Sequence, residues 1–307
     1  MQSNCTLPGD AASIGYPRDT SGRAQDGCFT GGSWVTFMQT TQGIAQVNGA
    51  ALFYEVAGSG PALVLIHGNT LDTRMWDLQV ECFASRFRVI RYDMRGFGRS
   101  ATPAAEAYSA ADDLAALLRY LEVSQAHILG LSLGGLVAID FALDYPQMTH
   151  TLIAADAGLR DFQWQSYGEF SAAVRTTAQT AGIEAAKAQW LAGDLFSAAL
   201  EHPGAAARLR QVVADYSGWH WLNRDPQHTP ETSAMERLAS LRCPALVIVG
   251  ERDLADFRDI ADLLQRRIPG ASRVVLPGVG HMSNLEDAAQ FNALVLDFLA
   301  APISPAS

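Results

Sequence analysis

Six short apolar runs recur along the chain: ALVLIHG, FRVIRYD, AHILGLS, TLIAADA, PALVIVG and SRVVLPG. Each has the length of one strand and is aliphatic on both faces. Runs of that kind are buried only in a parallel sheet covered by helices on both sides. Helical sequence lies between them. In YSAADDLAALLRYL, Ser109 and Asp112 have the spacing of a capping box, and Leu114, Leu117, Leu118 and Leu121 share one face. The last helix opens with Ser283 and Glu286 in the same relation and carries Phe291, Leu294, Val295 and Phe298. Ahead of the first run, GIAQVNGAALFYEVAG reads as two strands joined at Asn48-Gly49, a favoured hairpin turn. The predicted fold is α/β: a mostly parallel, doubly wound sheet after an antiparallel start, built from residues 38–157 and 235–307.

Residues 158–234 carry no strand signal, a span too long for a connection inside a compact sheet. They are expected to form an inserted helical cap over the carboxyl edge. Four of the six tryptophans fall there, Trp164, Trp190, Trp219 and Trp221, with Phe162, Tyr167 and Phe170. Most must pack the cap's own helices; together they suggest an apolar roof over a pocket. Residues 1–37 are rich in Gly, Ser, Asp and Thr without sustained periodicity and read as a flexible extension, with Trp34 and Phe37 as candidates for docking on the body.

Composition excludes several function classes. The 307 residues carry a formal net charge of -10 and no Lys/Arg cluster, so a nucleic-acid partner is not expected. No apolar run reaches the roughly 18 residues of a membrane span. The first residues lack the basic start and apolar stretch of a signal peptide, which predicts a cytoplasmic location. Cys5, Cys28, Cys82 and Cys243 have no metal-type spacing and read as reduced thiols; a Cys5–Cys28 bridge is compatible with the sequence but not required by it. Oligomeric state is not legible.

Gly130-Leu131-Ser132-Leu133-Gly134 is G-x-S-x-G, with a strand before it and an apolar helix after it. That is the context of a nucleophile elbow, in which glycines two residues either side prevent Cβ collisions across a tight turn. Ser132 then stands at a helix N-terminus, where free N–H groups and the dipole favour developing negative charge. His281, on the loop between the last strand and the last helix, is the candidate base. Asp253, just past PALVIVG, is the candidate orienting acid; Asp156, ending TLIAADA, is its rival. Glu251 and Asp256 read as solvated neighbours. His127 and His150 open strands at the opposite edge, His202 and His228 carry no further signal, and His67 shapes the loop after ALVLIHG. The backbone N–H groups of Leu133 and Asn69 are candidate oxyanion donors. Trp164, Trp219, His220, Trp221 and Met282 are candidate pocket-lining residues.

LVLIHGNTLDTRMWD, RVIRYDMRGFGRS, GLSLGG, VGERD and GHMSNLED, in that order, resemble the successive blocks of the α/β-hydrolase superfamily. Within it they are similar to the capped branch of small carboxylesterases, 3-oxoadipate enol-lactonase-like proteins and carbon–carbon bond hydrolases. The resemblance implies a Ser132–Asp253–His281 catalytic triad and makes Asp93, Arg95, Gly96, Gly98 and Ser100 a structural loop. Haloalkane dehalogenases carry Asp at the position of Ser132, and proline iminopeptidases Trp at that of Leu133, so both activities are disfavoured. A cation for an acidic substrate would come from Arg160 or Arg175. The expectation is a serine hydrolase acting on a small to medium ester or lactone, without cofactor or metal. Enol-lactone or carbon–carbon bond hydrolysis with the same triad, acyl transfer to another acceptor, and a non-catalytic receptor-like role are the alternatives.

Overall fold

The computed structural model describes residues 27–30, 33–36, 40–228 and 232–301. The chain divides into two units, Met1–Gln39 and Thr40–Ser307. In the first, β1 (Gly27–Thr30) and β2 (Ser33–Thr36) pair antiparallel. Four-residue strands are too short for their alternation to stand out in a sequence, so this pair was not expected. Trp34 belongs to β2. Cys5, Phe37 and most of the extension lie outside the described residues.

The second unit begins with β3 (Thr40–Val47) and β4 (Ala50–Ala57), joined where Asn48 and Gly49 take φ of 48° and 72°, the positive values a tight hairpin turn demands. There follow β5 (Ala62–Ile66), α1 (Asp77–Ala84), β6 (Arg88–Tyr92), α2 (Ala110–Tyr120), β7 (Ala126–Leu131), α3 (Leu133–Asp144) and β8 (Thr149–Ala155). Helices α4 (Ser166–Ala181), α5 (Ile183–Leu191), α6 (Ser197–Glu201), α7 (Pro203–Asp215) and α8 (Trp219–Leu222) come next, in the segment where no strand was expected. The chain returns through α9 (Ala234–Arg237) to β9 (Ala245–Gly250), α10 (Ala255–Arg267), β10 (Ser272–Leu276), α11 (Ser283–Glu286) and α12 (Ala288–Ala300). The eight-stranded sheet has the order β10-β9-β8-β7-β5-β6-β4-β3, antiparallel only at β3–β4 and β4–β6. Every residue of β5, β7 and β9 is buried, which is why those runs lack alternation.

The chain leaves β5 for β6 on one side and returns to β7 on the other, so the strand order reverses between β5 and β7. In open α/β sheets the crevice outside the carboxyl ends at such a reversal is where ligands bind. Two sequence features meet there: the His67-Gly68-Asn69 loop after β5 and Ser132 after β7.

One expectation about the last helix is corrected. Ser283 and Glu286 bound the four-residue α11 and do not cap the long helix; Asp287 caps α12, accepting from Gln290 N at 2.9 Å. Glu286 instead accepts from Gly280 N (2.6 Å) and Met282 N (2.9 Å), bracing the loop on both sides of His281. Ser283 donates to Asp156. At α2 the expected Ser109 cap is present, accepting from Asp112 N at 3.3 Å.

Candidate active site

Ser132 is the N-cap of α3 and takes φ 57° and ψ -115°, a backbone conformation that costs a non-glycine residue about 1–3 kcal/mol. The turn is held by Ser132 N donating to Ala155 O (3.0 Å) and by Leu136 N and Gly158 N donating to Ser132 O (3.1 and 2.9 Å). Its glycines are there for close approach. A Cβ on Gly130 would run into the carbonyl of Gly134, and one on Gly134 into the carbonyl of Ile66. Gly135, which sequence reasoning passed over, also has no room for a Cβ, which would meet Ala157.

His281 is 2% exposed and Asp253 4%. His281 Nδ1 lies 3.1 and 2.9 Å from Asp253 Oδ1 and Oδ2, a contact with a carboxylate that puts the ring proton on Nδ1. His281 Nε2 is buried and has no hydrogen-bond partner among the described residues. Phe257 packs on the ring at 4.2 Å between centroids. His281, Met282, Ser132, Gly68, Asn69 and Trp190 line one small pocket. An imidazole anchored through Nδ1, with Nε2 unpartnered in a pocket that a serine also lines, can serve as the base for a serine hydroxyl. The N–H of Leu133, first of α3, and the N–H of Asn69 have no acceptor among the described residues. Leu133 follows Ser132 in the chain and Asn69 lines the same pockets as Ser132, so both remain candidate oxyanion donors.

The structure does not bring the rival acid to the imidazole. Asp156, fully buried at φ 42°, accepts from Gly250 N (2.9 Å) and Ser283 Oγ (2.5 Å). Burial, reinforced by the neighbouring Asp253 charge, pushes its carboxyl well above the ordinary range. Asp256 is corrected: instead of being solvated it is 2% exposed and accepts from Gln165 N, Ser166 Oγ and Tyr167 N (3.1, 3.2 and 2.8 Å). Its charge thereby caps the N-terminus of α4, where the helix dipole favours a carboxylate. Glu251 is exposed.

His67 is buried and neutral, burial lowering its pKa. It receives a hydrogen bond from Met94 N at Nε2 (2.9 Å) and contacts Gly68 O through Nδ1 (2.8 Å), tying the loop after β5 to the one after β6. In that second loop Asp93 accepts from Thr73 N and Arg99 N (2.8 Å each), Ser100 Oγ accepts from Phe53 N (2.8 Å), and Arg95 pairs with Asp113 at 2.6 and 2.7 Å. Gly96 and Gly98 take positive φ there, 79° and 49°. His127 and His150 meet edge to face at 4.7 Å between centroids, His127 being bonded to Thr151 (2.9 Å).

A larger cavity of about 300 Å³ also reaches Ser132. Of the expected lining residues, Trp164 and His220 face it and Met282 faces the small pocket. Trp219 and Trp221 line neither: Trp221 is 3% exposed and packs on Trp190 and Tyr216, while Trp219 abuts His220. Arg160 is spent on Asp140 at 2.7 Å, whereas Arg175 lines the large cavity. Sequence reasoning missed Tyr92, Phe97, Tyr108, Asp225, Gln227 and Phe257 as lining residues. His220 stacks on Phe97 at 4.2 Å, and burial pushes its pKa down to about 4, so it sits beside Asp225 as a neutral ring.

No helix among the described residues is long and apolar enough to cross a membrane. The chain is 30% identical over 270 residues to the pimeloyl-[acyl-carrier protein] methyl ester esterase of Aeromonas hydrophila, covering 79% of this chain and 96% of that one. It is 26% identical over 251 residues to a protein described as a candidate carbamate hydrolase in Klebsiella pneumoniae, covering 78% and 92%. Among solved structures, the enol-lactonase of Burkholderia xenovorans superposes with a TM-score of 0.74 at 28% identity, covering 84% of this chain and 100% of that one. The sequence signature of the alpha/beta hydrolase fold matches residues 61–288. With that match spanning most of its length, the chain belongs to the α/β-hydrolase family.

Proposed function

We propose that this hydrolase is a serine esterase that cleaves a small to medium, partly apolar carboxylic ester through an acyl-enzyme. Ser132 Oγ attacks the ester carbonyl while His281 Nε2 takes the hydroxyl proton, and Asp253 holds the ring and balances the imidazolium. The N–H groups of Leu133 and Asn69 bind the oxyanion of the tetrahedral intermediate. The leaving alcohol departs with the proton from His281. Water, deprotonated by the same nitrogen, then attacks the acyl-Ser132 carbonyl and releases the acid. Every step uses this chain's own groups and water. A lactone is the same bond closed into a ring and is opened by the same sequence.

The observation that carries this reading is His281: Nδ1 held by a buried carboxylate, Nε2 unpartnered, in a pocket shared with a serine of strained backbone. The segment between β8 and β9 acts as the cap, supplying Trp164, Tyr167 and His220 to the cavity. The test is a panel of short and medium p-nitrophenyl esters and of lactones. Turnover lost in Ser132→Ala is expected; esters turned over no faster by the parent than by Ser132→Ala would sink the reading.

A further inference from the structure

The large cavity extends beyond Ser132 to polar groups that the proposed mechanism does not use. Tyr92 and Gly130 both pair with Ile66, so two strand spacings, about 10 Å, separate their backbones. Tyr92 is 1% exposed and lines the cavity, and its Oη has no hydrogen-bond partner among the described residues. Asp225 lines the same cavity. Its Oδ2 accepts from Gln227 Nε2 (3.1 Å) and Tyr108 Oη (3.3 Å), while Oδ1 is buried and unpartnered. Tyr108, bonded to Asp225, lines the same cavity as Tyr92. Met94, Phe97 and Leu136 add apolar wall to the same cavity.

Buried polar atoms without partners carry the full cost of desolvation, which a ligand with matching groups removes. The two atoms ask for different things. Asp225 Oδ1 only accepts, so its partner must donate. Tyr92, kept protonated by burial, has an O–H to give, so its partner must accept. A carboxylate cannot donate to Asp225, and an ammonium cannot accept from Tyr92. A hydroxyl does both. Of the two arginines that line this cavity, Arg95 is already occupied by Asp113 and Arg175 reaches the carbonyl of Asn223 (3.5 Å).

Building on the esterase reading, we propose that the substrate carries a hydroxyl at the end remote from its scissile carbonyl, held by Tyr92 Oη and Asp225 Oδ1 across an apolar spacer. The test compares methyl hexanoate with methyl ω-hydroxyhexanoate, and hexyl acetate with ω-hydroxyhexyl acetate, so that the group is offered on either side of the ester. The matching ω-amino and ω-carboxy esters are further arms. In at least one pair kcat/KM is expected to favour the hydroxylated ester by about tenfold or more. That ratio should fall toward one in both Tyr92→Phe and Asp225→Asn, two near-isosteric changes. Equal rates within both pairs, a preference for the charged esters, or a hydroxyl preference untouched by both substitutions would overturn the proposal while leaving the esterase reading intact. Absence of Ser132-dependent turnover of the plain esters would overturn both.

Discussion

Replacing Asp253 by Asn separates the proposed catalytic role of the buried carboxylate from its structural one. His281 Nδ1 sits 2.9 and 3.1 Å from its two oxygens, with side chains 2% and 0% exposed, so water does not screen the pair. When His281 takes the Ser132 proton, a cation forms against that anion. At an effective dielectric of about 20, unit charges about 4 Å apart attract by about 4 kcal/mol. Every 1.36 kcal/mol is tenfold in rate, so losing the charge is expected to lower kcat about 10³-fold. Stability should move little or rise, because the Asp253 charge lies against buried Asp156 and is one cause of that carboxyl's raised pKa. Asp156→Asn is the control. Asn imitates a neutral carboxyl and can keep the Gly250 hydrogen bond, so its kcat should stay within a few-fold of the parent. The assay is steady-state hydrolysis of a p-nitrophenyl ester, with circular dichroism and thermal melting to establish that both variants are folded. A folded Asp253→Asn retaining kcat within about tenfold would refute the electrostatic reasoning.

Two further outcomes follow from the same structure. Burial, with His150 nearby, pushes the His127 pKa from its ordinary 6.5 down to about 4, and burial does the same to His220. Between those values the unfolded chain holds protons that the folded one does not; the stabilisation is therefore present above pH 6.5 and lost as the pH falls toward 4. Tm should drop over that interval, less steeply in His127→Gln; identical profiles for parent and variant would contradict the assignment. Gly134→Ala drives a Cβ at the Ile66 carbonyl, and such overpacking is expected to cost about 1–3 kcal/mol in chemical denaturation and to lower kcat by displacing the adjoining His67-Gly68-Asn69 loop.

What the sequence made legible was local or repetitive. The apolar runs revealed the sheet because burial on both faces leaves an unbroken aliphatic signature. Ser132, Asp253 and His281 each stand just past a strand, so strand assignment alone sets them on one edge. What it hid depended on partners distant in the chain. Asp256 looks like a surface acid until α4, about 90 residues earlier, places its N-terminus upon it. Ser283 and Glu286 have capping-box spacing but are drawn to Asp156 and to the backbone around His281. Trp219 and Trp221 could not be told from Trp164 without knowing which face of the cap each occupies. Tyr92 reads as one more strand residue, and its unpartnered hydroxyl is visible only in three dimensions.

The most direct measurement of the central claim is covalent labelling with a fluorophosphonate, located by peptide mass spectrometry. One label per chain is expected, on Ser132, with its loss in Ser132→Ala and His281→Ala. Folded protein that takes no label, or takes it at another residue, would contradict Ser132 as the nucleophile.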